Sequence, residues 1–328
     1  MESITKNRQT PATLRAMVER AYGAEQVPTG EPDTWLEELG HGWFNVAYRI
    51  VLRDGRAVVV KIAPPRDVPV MTAERGAMRI ELDSLALIAE RTDVPVPHVD
   101  HADLSHELVD ADYFFMPFID ADNFGIITES LSTEQRDAYN EALGAANREL
   151  NSIRGGWFGP LAGPGHPSWR TAFTGIVEAN LADGEARNVD IGRDYDEIRK
   201  VVALHADVLD DVTEPRFVEW DLWDSNVMVR DGRIVTIIDH ERALYGDPLM
   251  EAGFAALDLP DFGDSTAFMR GYGHEELTSR EQTRRRLYSL HLVVIMAIET
   301  VYRGHTTASQ YDWARGQIDR MMRMLTEP

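Results

Sequence analysis

The sequence contains no cysteine. That excludes a disulfide framework, a thiolate-bound metal centre and a cysteine nucleophile. Lysine is almost absent: Lys6, Lys61 and Lys200 are the only three, and all other basic side chains are arginine. Positive charge is scarce overall. Lys and Arg total 33 against 55 Asp and Glu, a formal charge of −22. Such a chain has no basic footprint for nucleic-acid phosphates, and none for an anionic membrane surface. Its acidity is compatible with a cationic ligand without selecting one. Long apolar runs are also missing. The most apolar helical stretch, 287–302, includes His291 and Glu299 and is shorter than the ~20 residues that a membrane span needs. The first residues, MESITKNRQTPATLRAMVERAYG, lack the apolar core of a signal peptide. The expectation is a cytoplasmic protein with neither nucleic acid nor membrane as partner.

What is present fits a large globular chain. At ~150 residues per domain, 328 residues predict about two. A helix is expected from Pro11 to Tyr22, with Thr10 as its N-cap. Residues 39–62 read as three β segments, the last two joined by Asp54-Gly55, a strong hairpin signal. A helix from 71 to 91 follows, with Glu74, Met78, Glu81, Leu85 and Ile88 on one face. Tyr113 to Ile119 is a short, continuous apolar run and reads as a buried strand. Beyond it, helices are expected near 133–153, 168–182, 194–210 and 282–303. A Gly/Pro-rich loop covers 155–167, and two short strands flank Asp231-Gly232.

The densest chemistry is Glu219-Trp220-Asp221-Leu222-Trp223-Asp224-Ser225-Asn226, followed by Ile237-Ile238-Asp239. A hairpin over 227–238 would bring Asn226 and Asp239 to one end. Two carboxylates and an amide oxygen are hard ligands that suit Mg²⁺ beside a phosphate. An acid adjoining a buried strand also needs a partner. The spacing D-x-x-x-x-N, with a second Asp 18 residues after the first, is that of a kinase catalytic loop and its metal-binding Asp. The wording VEWDLWDSNVMV…IIDHERALYGDPLMEAGF resembles the aminoglycoside phosphotransferase family of small-molecule kinases. The resemblance implies an α+β, bilobal protein-kinase-like fold. An ATP-clamping lobe, 1–117, would precede a catalytic and acceptor-binding lobe, 118–328. It further implies ATP and Mg²⁺ as cofactors, Asp221 as the residue that takes the proton of the acceptor hydroxyl, and Asn226 and Asp239 as the metal ligands. Asp247 of Gly-Asp-Pro resembles a structural acid of the same family.

Lys61 ends the apolar run Val58-Val59-Val60. A lysine in a buried strand is costly unless paired, and a chain that otherwise uses arginine has kept one here. It resembles the strand lysine that contacts ATP phosphates. Glu81, on the apolar stripe of the following helix, is its expected partner, with Glu74 as the rival. By position, Gly40-His41-Gly42 and Asn45 form the phosphate-covering turn, with Asn45 where the kinase pattern has a third glycine. Backbone groups of Met116 and Phe118 are placed to hydrogen-bond an adenine ring.

The sequence departs from the family at two positions. Glu219 stands where the family has His, and His240 where it has an aromatic residue. In kinase-like folds these positions adjoin, so an ion pair between them is expected, with His240 titrating above ~6.5. Arg284-Arg285-Arg286 reads as a solvated helix start, Trp157, Phe158 and Trp169 as core plugs, and His291 as a satisfied core histidine. Glu299 is expected to pair with an arginine inside the second lobe. The reading is an ATP:alcohol phosphotransferase acting on an aminoglycoside, amino sugar or related polyol, with antibiotic resistance as one role. Alternatives are a kinase-like nucleotide binder without catalysis, a kinase for a choline-like or other amino alcohol, and a Mg²⁺-dependent phosphoesterase.

Overall fold

The hairpin at Asp54-Gly55 organises the first half of the chain in the computed structural model, which describes residues 2–40 and 42–327. Gly55 adopts φ 89°, the left-handed conformation that the turn requires. Strands β1 (Leu36–Leu39), β2 (Val46–Val51), β3 (Ala57–Ile62), β4 (His101–Asp103) and β5 (Tyr113–Pro117) form an antiparallel sheet in the order β1-β2-β3-β5-β4. His41 of the expected phosphate-covering turn lies outside the described residues.

Alternation along β3 decides what faces where. Val58, Val60 and Ile62 point to one side, where Leu14, Met17 and Val18 of helix α1 (Pro11–Tyr22) cover them. Lys61 must therefore face the other side. On β5, Tyr113 and Phe115 join the α1 side, and Phe114 packs with Met78 and Leu85 of helix α2 (Ala77–Arg91). The helix expected from 71 is broken. Residues Thr72–Glu74 form a 3₁₀ turn, and Gly76 at φ 74° separates it from α2. The cause is docking. The Thr72 amide and hydroxyl donate to Asp183 at 2.6 and 2.8 Å, pulling this segment onto the second half of the chain.

The second half is mainly helical: α3 (Phe124–Ile127), α4 (Thr133–Leu150), α5 (Trp169–Ala186), α6 (Tyr195–Leu204), α7 (Thr266–Tyr272), α8 (Ser279–Tyr302) and α9 (Ser309–Thr326). Helices α3, α7 and α9 have no counterpart among the helices expected from the sequence. Strands β6 (Asp122–Asn123), β9 (Val227–Arg230) and β10 (Arg233–Ile237) form one small sheet, and β7 (Gly159–Pro160), β8 (Arg216–Val218) and β11 (Leu244–Gly246) another. Trp169, Phe173, Leu290 and Val293 lie in the large core of this half, which also takes in Met71, Ile88 and Val94. No helix among the described residues is long and apolar enough to cross a membrane.

The start of α8 overturns one expectation. Arg284 and Arg285 are buried rather than solvated. Arg284 pairs with Asp247 at 2.8 Å, and Arg285 donates to the Leu249 carbonyl. The Gly-Asp-Pro loop folds over this helix, so its second turn, from Arg284, becomes interior. Asp247 also accepts from Tyr288 Oη at 2.7 Å. Helices α4 and α7 approach too closely for side chains at two glycines. A Cβ on Gly144 would lie 2.0 Å from the Phe268 carbonyl oxygen, and one on Gly271 would lie 1.8 Å from that of Glu141. Gly144→Ala is therefore expected to destabilise the fold by about 1–3 kcal/mol, read as a fall in Tm, whereas Gly316→Ala, which meets open space, is not.

Candidate active site

Two segments of opposite character meet at the centre of the molecule. From the first half come Lys61 on β3 and Glu81 on α2. Lys61 Nζ donates to Glu81 Oε2 at 2.6 Å and contacts Asp239 Oδ1. Glu81, not Glu74, is its partner. A third carboxylate, Glu241 Oε2, lies 3.5 Å from the same ammonium and accepts from Asn45 Nδ2. Burial opposes the charge on Lys61, but Asp239, Glu81 and Glu241 outweigh it and hold the ammonium well above its ordinary range. Burial, with Asp239 adding to it, pushes the Glu241 carboxyl up to about 8. Asp239 stays below the ordinary carboxylate range: burial works against its charge, and the Lys61 ammonium overrides it.

From the second half comes the loop after β8. Glu251 clamps it, accepting from the Trp220 and Leu222 amides at 3.2 and 3.1 Å. Trp220 takes φ 66°, a strained value for a bulky residue. Asp221 Oδ1 accepts from Trp223 Nε1 at 2.6 Å. Asn226 Nδ2 donates to the Asp221 carbonyl at 2.8 Å, and no described residue bonds its Oδ1. Strands β9 and β10 then return the chain, and the Ile238 amide donates to the Asn226 carbonyl at 2.9 Å. Asn226 and Asp239 thus stand at one end of the hairpin, as the spacing required. Burial raises the Asp221 carboxyl, and Arg242 counters part of that rise.

Behind these groups Glu219 and His240 meet. His240 Nδ1 lies 2.8 Å from Glu219 Oε2, with both side chains fully buried. The contact is off the line of a hydrogen bond and acts as a charge pair. His240 Nε2 donates to the Ile237 carbonyl at 2.9 Å. Burial disfavours the imidazolium, but Glu219 and that carbonyl hold His240 above its usual pKa. Ser84 of α2 donates to the His240 carbonyl at 3.2 Å, tying this segment to the helix that carries Glu81.

One backbone expectation is corrected. The Phe118 amide donates to the Ala57 carbonyl at 3.0 Å, and Met116 stands opposite Val59 in the same ladder. Alternate residues of an antiparallel strand point their polar groups to opposite edges. The Pro117 carbonyl and Ile119 amide therefore face away from β3, on an edge where β4, among the described residues, pairs only with Tyr113 to Phe115. Sequence reasoning also passed over Glu241, Arg242 and the Trp223 indole. The signal was four ionisable residues in a row, Asp239 to Arg242, directly after a buried strand. His291, by contrast, is a buried core histidine beside Phe173 and Trp220, and Glu299 pairs with Arg303 at 2.9 Å, as expected.

Comparison with known proteins agrees with this geometry. The model of the phosphotransferase enzyme family matches residues 35–288. No curated protein matches the sequence. Among solved structures, a thermostable mutant of aminoglycoside phosphotransferase APH(4)-Ia, in complex with AMP-PNP and hygromycin B, has a TM-score of 0.68 at 17% identity, covering 96% of this chain and 100% of that one. A candidate fructosamine-3-kinase from Thermobifida fusca YX-ER1 has a TM-score of 0.67 at 19% identity, covering 96% and 100%. The streptomycin–ATP complex of APH(2")-IIa has a TM-score of 0.62 at 16% identity, covering 97% and 99%. At these identities the structures show a shared fold, and the family match extends over most of the chain. The chain therefore belongs to the phosphotransferase enzyme family, as a small-molecule phosphotransferase of kinase-like fold.

Proposed function

We propose that the protein transfers the γ-phosphate of ATP, with Mg²⁺, to a hydroxyl of a small molecule, with an amino sugar, aminoglycoside or similar cationic polyol as acceptor. The observation that carries this reading is the convergence of Lys61, Glu81, Asp239, Asn226 and Asp221 from four separate segments. In it, residues 1–117 clamp the nucleotide and 118–328 hold the metal and the acceptor.

The donor set suits the metal. Asp239 and Asp221 keep 34% and 25% of their side-chain exposure, so both carboxylates open to the cleft rather than into the core. Asn226 is fixed through Nδ2 and keeps Oδ1 for a ligand. Hard oxygen donors of this kind hold Mg²⁺ alongside phosphates. Bound Mg–ATP would supply the phosphoryl group and neutralise its charge. Lys61, steadied by Glu81, receives the phosphates under the turn that carries Gly40, Gly42 and Asn45. The Pro117 carbonyl and Ile119 amide take the adenine edge. Asp221 orients the acceptor hydroxyl and accepts its proton. Past Asp221, the Trp223 and Phe262 rings meet at a tilt of 37° with centroids 4.7 Å apart, and Phe262 meets Trp313 edge-on at 5.4 Å. Trp313 Nε1 donates to Asp261 at 2.6 Å. Aromatic faces interleaved with carboxylates suit a cationic polyol.

The test is an ATP-consumption screen over aminoglycosides, amino sugars, macrolides and amino alcohols. ADP formation is expected with at least one amino-bearing polyol, abolished by EDTA and by Asp239→Asn. Acceptor-dependent turnover that survives Asp239→Asn would refute the metal assignment.

A further inference from the structure

We propose that Arg242 is a positioning residue for Asp221, a role that rests on the reading of Asp221 as the proton acceptor. Arg242 follows the metal-side segment and has little freedom. Its Nη2 lies 3.5 Å from Glu299 Oε2 and 3.9 Å from Glu74 Oε1. Its guanidinium carbon sits 5.1 Å from the ring centroid of Trp220, the residue that precedes Asp221 in a left-handed conformation. Its Nε lies 3.9 Å from Asp221 Oδ2. Among the described residues it is the only cation within 4.0 Å of that carboxylate.

The surrounding acids each have closer partners than Arg242. Glu299 Oε1 accepts from Gln310 at 2.8 Å, and its Oε2 pairs with Arg303 at 2.9 Å and accepts from Arg242 Nη2 at 3.5 Å. Glu74 Oε2 accepts from the Met71 amide at 3.0 Å, and its Oε1 from Arg303 at 3.0 Å. Arg303 and Arg242 together face Glu74, Glu299 and Asp221, so this buried group carries one net negative charge. That surplus belongs to Asp221, the member whose partners are weakest and whose exposure is greatest. Trp223 thus holds Oδ1 by a hydrogen bond, and Arg242 faces Oδ2 with its charge at 3.9 Å. One side of the carboxylate accepts an indole N–H, and the other faces a guanidinium held among Glu299, Glu74 and the Trp220 ring. The carboxylate plane is set before an acceptor arrives, and a preset geometry of this kind is worth orders of magnitude in rate. Glu74 sits on the segment between β3 and α2, and Glu299 on α8. The same arginine thereby ties the proton acceptor to both halves of the molecule.

The variants are Arg242→Met, Arg242→Lys and Arg303→Met, with Asp221→Asn as the control on the reading itself. Turnover is measured with the best acceptor of the screen above and, independently, as slow hydrolysis of Mg–ATP by water. Arg242→Met is expected to lower kcat by about 10- to 100-fold with the KM for ATP unchanged. Arg242→Lys keeps a cation at the site and is expected to lose less. It also covers the case in which the methionine variant does not fold. Arg303→Met breaks the same network without touching Asp221 and is expected to lower Tm while sparing kcat. Crystal structures supply a readout that needs no acceptor: Asp221 occupies one rotamer in the wild type and is rotated or split in the Arg242 variants. An unchanged Asp221 rotamer, or equal kcat losses in the Arg242 and Arg303 variants, would overturn the inference. If Asp221→Asn is inactive while Arg242→Met is not, the positioning role alone fails. If Asp221→Asn retains turnover, the underlying reading fails.

Discussion

Asp221→Asn is expected to reduce turnover by about 10²- to 10⁴-fold, the range that a positioned general base contributes, while ADP binding is retained. The substitution preserves shape. An asparagine Oδ1 can still accept from Trp223 Nε1, now 2.6 Å from the carboxylate, and the backbone carbonyl can still hold Asn226 Nδ2. What is lost is the ability to take a proton. The cluster of Lys61, Glu81 and Asp239, proposed to hold the nucleotide, does not include this carboxylate, so ADP affinity measured calorimetrically should stay near wild type. The pH profile gives a second check. Burial raises Asp221 above the ordinary carboxylate value of 3.8, and Arg242 only partly offsets it. The base works ionised, so activity falls as pH falls through that raised value. The acid limb of kcat/KM therefore lies above the ordinary aspartate range and disappears in the asparagine variant. Turnover within a few-fold of wild type would remove Asp221 from the mechanism.

The parts that were legible in the sequence are those fixed by local chemistry. Asp54-Gly55 and Asp231-Gly232 set two hairpins because few residues accept their backbone angles. Lys61 was conspicuous because the chain spends lysine so sparingly, and burial then demanded a carboxylate. Glu81 answered because it sits on the apolar stripe of α2. The Glu219–His240 contact was legible as two matched departures from one pattern. What escaped notice depends on tertiary placement. Gly76 could have stayed helical; docking of Thr72 on Asp183 is what sets residues 72–74 apart from α2 as a separate 3₁₀ turn. Arg284 and Arg285 look solvated until the Gly-Asp-Pro loop covers them. Arg242 looks like any arginine after a motif. Only the fold brings Asp221, Glu74 and Glu299 around it. Phe118 shows the limit at the level of single atoms, since a shift of one residue along β5 exchanges the edge its amide faces.

His240→Phe, which restores the aromatic residue usual in the family, is expected to destabilise this protein by about 3–5 kcal/mol, the cost of breaking a buried ion pair from one side. Glu219 is 1% exposed, and its carboxylate oxygens have no hydrogen-bond donor among the described residues. Among the described residues, His240 is the only cation within 4.0 Å of it. With phenylalanine in place, the carboxylate must stay charged and uncompensated or take up a proton. The double variant Glu219→Gln/His240→Phe removes both charges and is expected to recover most of the loss, because exchanging a whole buried pair is often close to neutral. Urea unfolding of the two single variants and the double closes the cycle. The pH dependence supplies the sign. Burial raises Glu219 above 4.5, and His240 is held above 6.5 despite its burial, chiefly by Glu219. Both shifts make the native state bind more protons than the unfolded chain, so the pair's contribution is intact below those ordinary values and declines as pH rises through the native ones. The double variant should lose that part of the decline. If His240→Phe alone costs nothing, Glu219 is neutral in the native protein, and the contact with His240 is a dipolar one that replaces the family's His–aromatic packing without adding charge.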